Sequence, residues 1–193
     1  MIKNTLSLPD NYSEIFKLDL QNDKKTALLV NAFSFFIFAV MLAFGHLHLP
    51  LSYLFDMSRG LSEYILRFAV MLAGVVVYII LHELVHGVFM RIYSKTRPKY
   101  GFTGLYAYAG SSAYYNKKCY IIIALSPVVI WGIIIALINA FLPDLWFWPI
   151  YFIQTANISG AAGDLYVAFQ FIKMPRDILV KDIGTSMTVY YKN

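Results

Sequence analysis

Long apolar runs restrict this chain more than any other feature of its sequence. Four of them can cross the hydrocarbon core of a bilayer, which takes roughly 20 residues as a helix. They extend from about Ala27 to Gly45, Arg67 to Met90, Tyr120 to Leu142, and Leu145 to Ile172. Of the 193 residues, 59% are hydrophobic and 14% are charged, whereas a soluble domain is about a quarter charged. The sequence predicts an all-α membrane protein with about four transmembrane helices.

The basic residues lie beside or between these runs and act as topology signals. They form three groups: Lys3, Lys17, Lys24 and Lys25; Arg91, Lys95, Arg97, Lys99, Lys117 and Lys118; Lys173, Arg176, Lys181 and Lys192. With four spans, all three groups fall on one side of the membrane. The positive-inside rule then predicts a multi-pass cell-membrane protein with both termini in the cytosol. No nucleic-acid-binding motif accompanies the net charge of +5, so a nucleic-acid partner is not expected.

The spans divide the chain into three parts. Residues 1–26 form a cytosolic amino-terminal arm, residues 27–172 a four-span membrane domain, and residues 173–193 a cytosolic tail. Within the arm, the stretch from Tyr12 to Leu20 is either a short interfacial helix or an ordered arm. The tail shows no pattern that predicts structure. Cys119 is the only cysteine, which excludes an internal disulfide and a thiolate metal cluster.

The second span contains the sequence HELVH, which begins at His82 and ends at His86. On a helix, residues i and i+4 share a face, so both imidazoles can reach one metal ion. Glu83 lies beside them, where a carboxylate can act as general base towards a water that the metal activates. Ionisable groups inside an apolar span are costly and are rarely kept without a partner or a task. Gly87 would let another element approach closely.

A catalytic zinc needs a third protein ligand, and elimination leaves one candidate. No histidine follows His86, and no acidic residue lies between Glu83 and Asp144, which is in an outer turn. The next acidic residue is Asp164, in the fourth span. The other two histidines lie at the outer end of the first span, where interfacial residues are expected: His46 and His48.

Depth in the membrane supports Asp164 independently. His82 lies nine residues before Arg91, and Asp164 lies nine residues before Lys173. At 1.5 Å per residue, each site is roughly 13 Å from a cytosolic basic residue. The second and fourth spans run in the same direction, so the two sites can face each other. The metal ligands predicted from the sequence are therefore His82, His86 and Asp164, with Zn²⁺ as the cofactor.

Asn157 is a further polar residue in the fourth span, seven residues before Asp164. In one continuous helix this spacing places both residues on the same face. The amide could bind a substrate backbone or orient the metal site, and it could equally join helices by hydrogen bonds. Both interpretations stay open at this point.

Together these motifs resemble those of the site-two proteases, which are intramembrane zinc enzymes. The resemblance is carried by HELVHG in the second span, Ser126-Pro127 in the third, and the stretch NISGAAGD from Asn157 to Asp164. It is closest to a bacterial branch of short membrane zincin peptidases. The resemblance implies His82, His86 and Asp164 as ligands, a general base and a substrate-site asparagine. Gly160 replaces the proline of the site-two pattern, and Gly163 precedes the aspartate instead of following it.

The segment from Tyr100 to Tyr115 is rich in aromatic and small residues. It is either a short membrane-associated β-hairpin, as the resemblance implies, or a plain interfacial loop with an aromatic belt. An exposed hairpin edge would bind an unwound substrate as an added strand.

Taken as a whole, the sequence favours a membrane-embedded zinc metallopeptidase, an intramembrane protease of the HExxH type with Glu83 as base. Its substrate would be a membrane-spanning or membrane-associated peptide cut near the cytosolic side. The alternatives are a catalytically inactive membrane scaffold with a structural zinc and a metal transporter. A purely structural site needs no base, and a transporter needs ligands along a path that the outer half of the membrane does not offer. The oligomeric state does not follow from the sequence.

Overall fold

A computed structural model describes residues 2–104 and 106–193. Met1 of the predicted arm and Leu105 of the predicted hairpin lie outside the described residues. In chain order the elements are β1 (Tyr12–Leu18), α1 (Lys24–His48), a 3₁₀ helix (Leu51–Phe55), α2 (Leu61–Ser94), β2 (Lys99–Phe102), β3 (Ala107–Gly110), β4 (Tyr114–Asn116), α3 (Lys117–Phe141), α4 (Asp144–Gly160), α5 (Ala162–Ile172), β5 (Leu179–Asp182) and β6 (Met187–Lys192).

Three helices in the described part of the chain are long and apolar enough to cross a membrane: α1, α2 and α3. Few of their residues are buried inside the protein. Large apolar side chains such as Phe35, Leu72 and Ile133 are exposed instead. Exposed apolar surface on this scale is expected where lipid is the solvent. The helices are consistent with the predicted multi-pass membrane protein.

The segment predicted as a fourth span is not one helix. α4 ends at Gly160, and α5 begins two residues later. Ala161 lies between them with φ −83° and ψ 16°, which is the sparsely populated bridge region rather than helix. Asn157 and Asp164 therefore belong to different helices. The expectation that their seven-residue spacing puts them on one helix face is wrong, because the break resets the helical phase.

The arm, the middle loop and the tail meet in one antiparallel sheet, whose strand order is β1-β6-β5-β4. β1 pairs with β6 from Tyr12 opposite Lys192 to Leu18 opposite Met187. Of the two alternatives for the arm, the interfacial helix is wrong and the ordered arm is present as a strand. The all-α prediction is corrected in the same way, since the protein is mostly helical with small antiparallel sheets.

The predicted hairpin between the second and third long helices is present. β2 and β3 form a two-stranded antiparallel sheet, with Lys99 opposite Gly110 and Phe102 opposite Ala107. Its association with the membrane stays a prediction.

The chain divides into two compact units. The first comprises the described residues of 1–31, 82–127 and 163–193, and the second comprises 32–81 and 128–162. The first unit has a core that includes Tyr115, Phe171, Ile178, Val180 and Val189. The second has a smaller core of Tyr78, Ile135 and Ile150. Both sheets and the three predicted metal ligands belong to the first unit.

Candidate metal centre

Helix α2 presents two histidines on one face. His82 and His86 are four residues apart, so their side chains project in the same direction about one turn from each other. Both residues are buried, and their Nε2 atoms are 3.1 Å apart. Polar groups buried in apolar surroundings are costly unless they find a partner. The two imidazoles therefore form a concentrated polar site in an otherwise apolar helix.

Asp164 faces this pair from the first turn of α5. Its Oδ2 atom is 3.4 Å from His82 Nε2, and its Oδ1 atom is 3.5 Å from His86 Nε2. One ligand atom from each residue lies within 4.8 Å of the others. The structure thus brings together the three residues that the sequence predicts as ligands.

The donor atoms of this cluster lie at distances that one small ion can bridge. Ligand atoms at 2.0–2.1 Å from a tetrahedral zinc are about 3.3 Å apart. The two imidazole Nε2 atoms are 3.1 Å apart, and each of them lies near a different oxygen of the Asp164 carboxylate, at 3.4 Å for Oδ2 and 3.5 Å for Oδ1. Two imidazole nitrogens and a carboxylate oxygen form a donor set that suits zinc, with the fourth position left for water or substrate. These residues fit a zinc ion.

The orientation of His86 is fixed by the backbone of α3. Its Nδ1–H donates a hydrogen bond to the carbonyl oxygen of Ile123 at 2.9 Å. Because a carbonyl oxygen only accepts, this contact places the ring proton on Nδ1 and leaves the lone pair on Nε2. Such outer contacts set the tautomer and the ring orientation of metal-binding histidines.

Glu83 stands beside the cluster and is not part of it. Its side chain is half-buried, and the backbone amide of Ala109 in β3 lies close enough to influence its carboxylate. An element outside its own helix therefore approaches the carboxylate. The arrangement offers an acceptor for a proton next to three metal-binding groups.

Comparison with known protein families agrees with this chemistry. A family model described as "Putative zincin peptidase" matches residues 75–179, just over half of the chain. The chain belongs to this family. The description indicates a metallopeptidase, and the name zincin implies zinc. No match was found among curated proteins or among solved structures.

In this member of the zincin peptidase family, Gly87, which follows the second histidine, is packed closely against another element. A Cβ atom added at Gly87 would lie 2.0 Å from Tyr100 Oη and 2.5 Å from its Cζ. Tyr100 belongs to β2, and its partner across the hairpin is Ala109. The close approach that the sequence predicts at Gly87 is therefore made by the hairpin.

Asp182 is a half-buried carboxylate that sequence reasoning missed, and it lies just beyond the residues that the zincin peptidase model matches. It accepts hydrogen bonds from the hydroxyl of Tyr120 and the backbone N–H of Gly184. Removal from water raises the pKa of Asp182, and these two hydrogen bonds oppose the rise. His86 and Asp164 lie close enough to influence it. In the sequence it is an ordinary acidic residue before a turn, so no local signal indicates its position.

Asn157 lies in the second unit and is fully buried. Its Oδ1 accepts a hydrogen bond from the hydroxyl of Tyr78 at 3.0 Å, and its Nδ2 donates to the carbonyl of Val128 at 3.2 Å. These contacts are the ones expected of an amide that joins helices. Its role as a substrate-binding residue stays a prediction.

The two outer histidines also belong to the second unit. His46 Nδ1 accepts a hydrogen bond from the backbone N–H of Leu51 at 3.1 Å, just after α1 ends. The ring of His48 contacts that of Phe147, with centroids 5.0 Å apart. The structure gives both residues local contacts in the second unit, and their interfacial role stays a prediction.

Proposed function

We propose that the protein is a membrane-embedded zinc metallopeptidase that hydrolyses membrane-spanning or membrane-associated peptides near the cytosolic side. The observation that carries this proposal is the convergence of two imidazoles and one carboxylate, whose ligand atoms lie within 4.8 Å of one another. The membership of the zincin peptidase family supports a metallopeptidase in general. The intramembrane action and the type of substrate belong to the proposal.

Each residue of the cluster has a separate task in this proposal. His82, His86 and Asp164 hold the ion, and the hydrogen bond from His86 to Ile123 keeps one imidazole aimed at it. When bound, zinc supplies a Lewis acid and a water that is activated near neutral pH. Glu83 takes the proton from the attacking water and passes it to the leaving amine.

The placement in the membrane is supported by the four-stranded sheet. Strands from the arm, the middle loop and the tail pair with one another, so all three segments must lie on the same side of a bilayer. α1, α2 and α3 are long and apolar enough to make three crossings. We infer that α4 and α5 together make the fourth crossing, which returns the tail to the side of the arm. The positive-inside rule assigns that side to the cytosol.

The hairpin suits a peptide substrate that has been unwound. In a transmembrane helix, the N–H and C=O groups of each peptide bond are hydrogen-bonded within the helix. Water therefore cannot attack the peptide carbonyl until the helix is locally unwound. A strand edge offers backbone groups that can pair with an extended peptide, and the β2–β3 hairpin lies against α2 at Gly87 and Glu83. Binding of the substrate along this hairpin, and any part taken by Asn157, is proposed by analogy with the site-two proteases.

The test separates metal binding from catalysis. The wild type, Glu83→Gln and Asp164→Ala are purified in detergent, zinc is measured by mass spectrometry, and cleavage of a transmembrane peptide is followed in proteoliposomes. We expect about one zinc per chain in the first two proteins and much less in Asp164→Ala. Cleavage should be lost in both variants.

Matched controls come from the same chain. Glu63→Gln changes an acidic residue in the first turn of α2, and Asp144→Ala changes one in the first turn of α4. Both controls should keep zinc and activity. Cleavage that persists in Glu83→Gln would overturn the role of the base. Zinc without any cleavage in the wild type would favour the inactive scaffold.

A further inference from the structure

A proline in α3 leaves one backbone carbonyl of that helix without its usual partner. In an α-helix the carbonyl of residue i accepts a hydrogen bond from the N–H of residue i+4. Pro127 lies inside α3 and has no N–H to donate. The residue four positions earlier is Ile123, whose carbonyl oxygen is therefore released from the helical ladder.

The released carbonyl is the one that His86 uses. Its oxygen accepts the Nδ1–H of His86 at 2.9 Å, and both residues are buried. No water can easily replace either partner in such a place. The proline thus creates an acceptor at the point where the second histidine of the cluster needs one to hold its ring.

We propose that Pro127 is a positioning residue of the metal centre, which frees the Ile123 carbonyl so that it orients His86 and keeps its Nε2 available to zinc. This inference rests on the proposed function in that it takes the cluster to be a zinc site. It gives a physical role to the proline of the Ser126-Pro127 pair that the sequence singles out.

The second unit contains the same arrangement with a different side chain. Pro149 lies inside α4, and the residue four positions before it is Leu145. The Leu145 carbonyl accepts a hydrogen bond from Arg67 Nη1 at 3.0 Å, and Arg67 is almost completely buried. In each unit, a proline inside a helix therefore frees a backbone carbonyl oxygen, and this oxygen accepts a hydrogen bond from an N–H group of a side chain in α2. Only one of these side chains is a predicted metal ligand.

This parallel provides a matched control for the experiment. Pro127→Ala and Pro149→Ala both restore a helical N–H, but only the first competes for the acceptor of His86. Pro127→Gly restores the N–H and removes the Cβ as well, so a shared effect of the two variants comes from the restored N–H and not from the remaining side chain. Zinc affinity is measured by competition with a chelator, and the thermal midpoint of each metal-free protein is measured in parallel.

We expect Pro127→Ala and Pro127→Gly to raise the zinc dissociation constant by about tenfold or more, as loss of an outer-shell contact does. The metal-free thermal midpoint of Pro127→Ala should stay equal or rise, because alanine is the better helix former. Pro149→Ala should leave zinc affinity unchanged. A role for Pro127 in folding alone would instead lower the midpoint.

The outcomes separate this inference from the proposed function. Dissociation constants within about twofold of the wild type for both Pro127 variants would overturn the inference, since outer-shell changes cost tenfold or more. Wild type that binds zinc but cleaves no peptide would contradict the peptidase and leave the positioning role intact. A wild type without zinc affinity would contradict both.

Discussion

Two half-buried carboxylates of the first unit, Asp164 and Asp182, have different surroundings. Asp164 faces two imidazole nitrogens, which suits an ionised ligand. Asp182 faces a phenol hydroxyl and one backbone amide, and it has no cation in hydrogen-bonding contact among the described residues. The difference predicts that Asp182 influences folding through its own protonation.

The prediction for Asp182→Asn concerns stability against pH. Burial raises the pKa of Asp182 in the folded protein, whereas the pKa of an aspartate in the unfolded chain is about 3.9. Between these two values the folded protein holds a proton that the unfolded chain has lost. The free energy of unfolding therefore falls as the pH rises through this window. Asparagine carries no such proton, so the variant should be more stable than the wild type above the window.

The measurement is the thermal midpoint in detergent with a chelator, from about pH 4 to about pH 8. Asparagine can keep both contacts, because its carbonyl accepts from Gly184 and its NH₂ donates to the oxygen of Tyr120. The control is Asp177→Asn, which changes an exposed acidic residue of the same tail. Its curve of thermal midpoint against pH should run parallel to that of the wild type. A curve for Asp182→Asn that also runs parallel to the wild type would contradict the prediction.

Single residues also show what sequence reasoning can and cannot reach. Asp164 follows from elimination and depth, because few acidic residues occur in the apolar part of the chain. Asp182 has no such signal, since an acidic residue before a glycine turn is common on any surface. It comes near the cluster only through the strand pairing of the tail, which local patterns do not encode.

At the scale of elements, the packing of the β2–β3 hairpin against α2 depends on the absence of a side chain at Gly87. Tyr100 fills the space over Gly87, and Ala109 acts on Glu83 from the neighbouring strand. We expect Gly87→Ala to displace Tyr100 and to destabilise the protein by about 1–3 kcal/mol, as other overpacked sites do. Thermal unfolding with and without zinc measures the effect.

A double-mutant cycle tests the cause of that loss. In a Tyr100→Ala background the three atoms nearest to the added methyl group are absent, so the cost of Gly87→Ala should shrink by more than the error of additivity, about 0.5 kcal/mol. Gly160→Ala is the control, because a Cβ atom there meets nothing within 4 Å. An unchanged cost in the Tyr100→Ala background would show that the hairpin contact is not responsible.

The elements also divide into those that the sequence reveals and those that it conceals. Long apolar helices and the hairpin follow from local composition and alternation. The break at Ala161 does not, because the glycines on either side of it, Gly160 and Gly163, are as common where transmembrane helices pack closely as where a helix ends. β1 and β6 are equally hidden, since each strand finds its partner at the opposite end of the chain.

At the scale of the whole molecule, the sheet predicts a topology that labelling can check. With Cys119 replaced by serine, single cysteines are introduced at Ser7, Ser58 and Lys192, all of which are exposed. A membrane-impermeant maleimide added to intact cells should label Ser58→Cys and leave the two terminal cysteines unmodified until the cells are opened. Labelling of only one terminus in intact cells would contradict the four crossings and the shared side of the sheet.

The pairing of β1 with β6 has a consequence for the order of events during synthesis of the protein. β1 leaves the ribosome long before its partner strand β6, because α1 to α5 lie between the two strands in the chain. At usual rates of synthesis, the first strand waits roughly ten to thirty seconds. α2, which carries the two histidines, likewise emerges before α5, which carries Asp164. A nascent chain therefore exposes two of the predicted ligands before it has the third, so the cluster cannot form until α5 has been made.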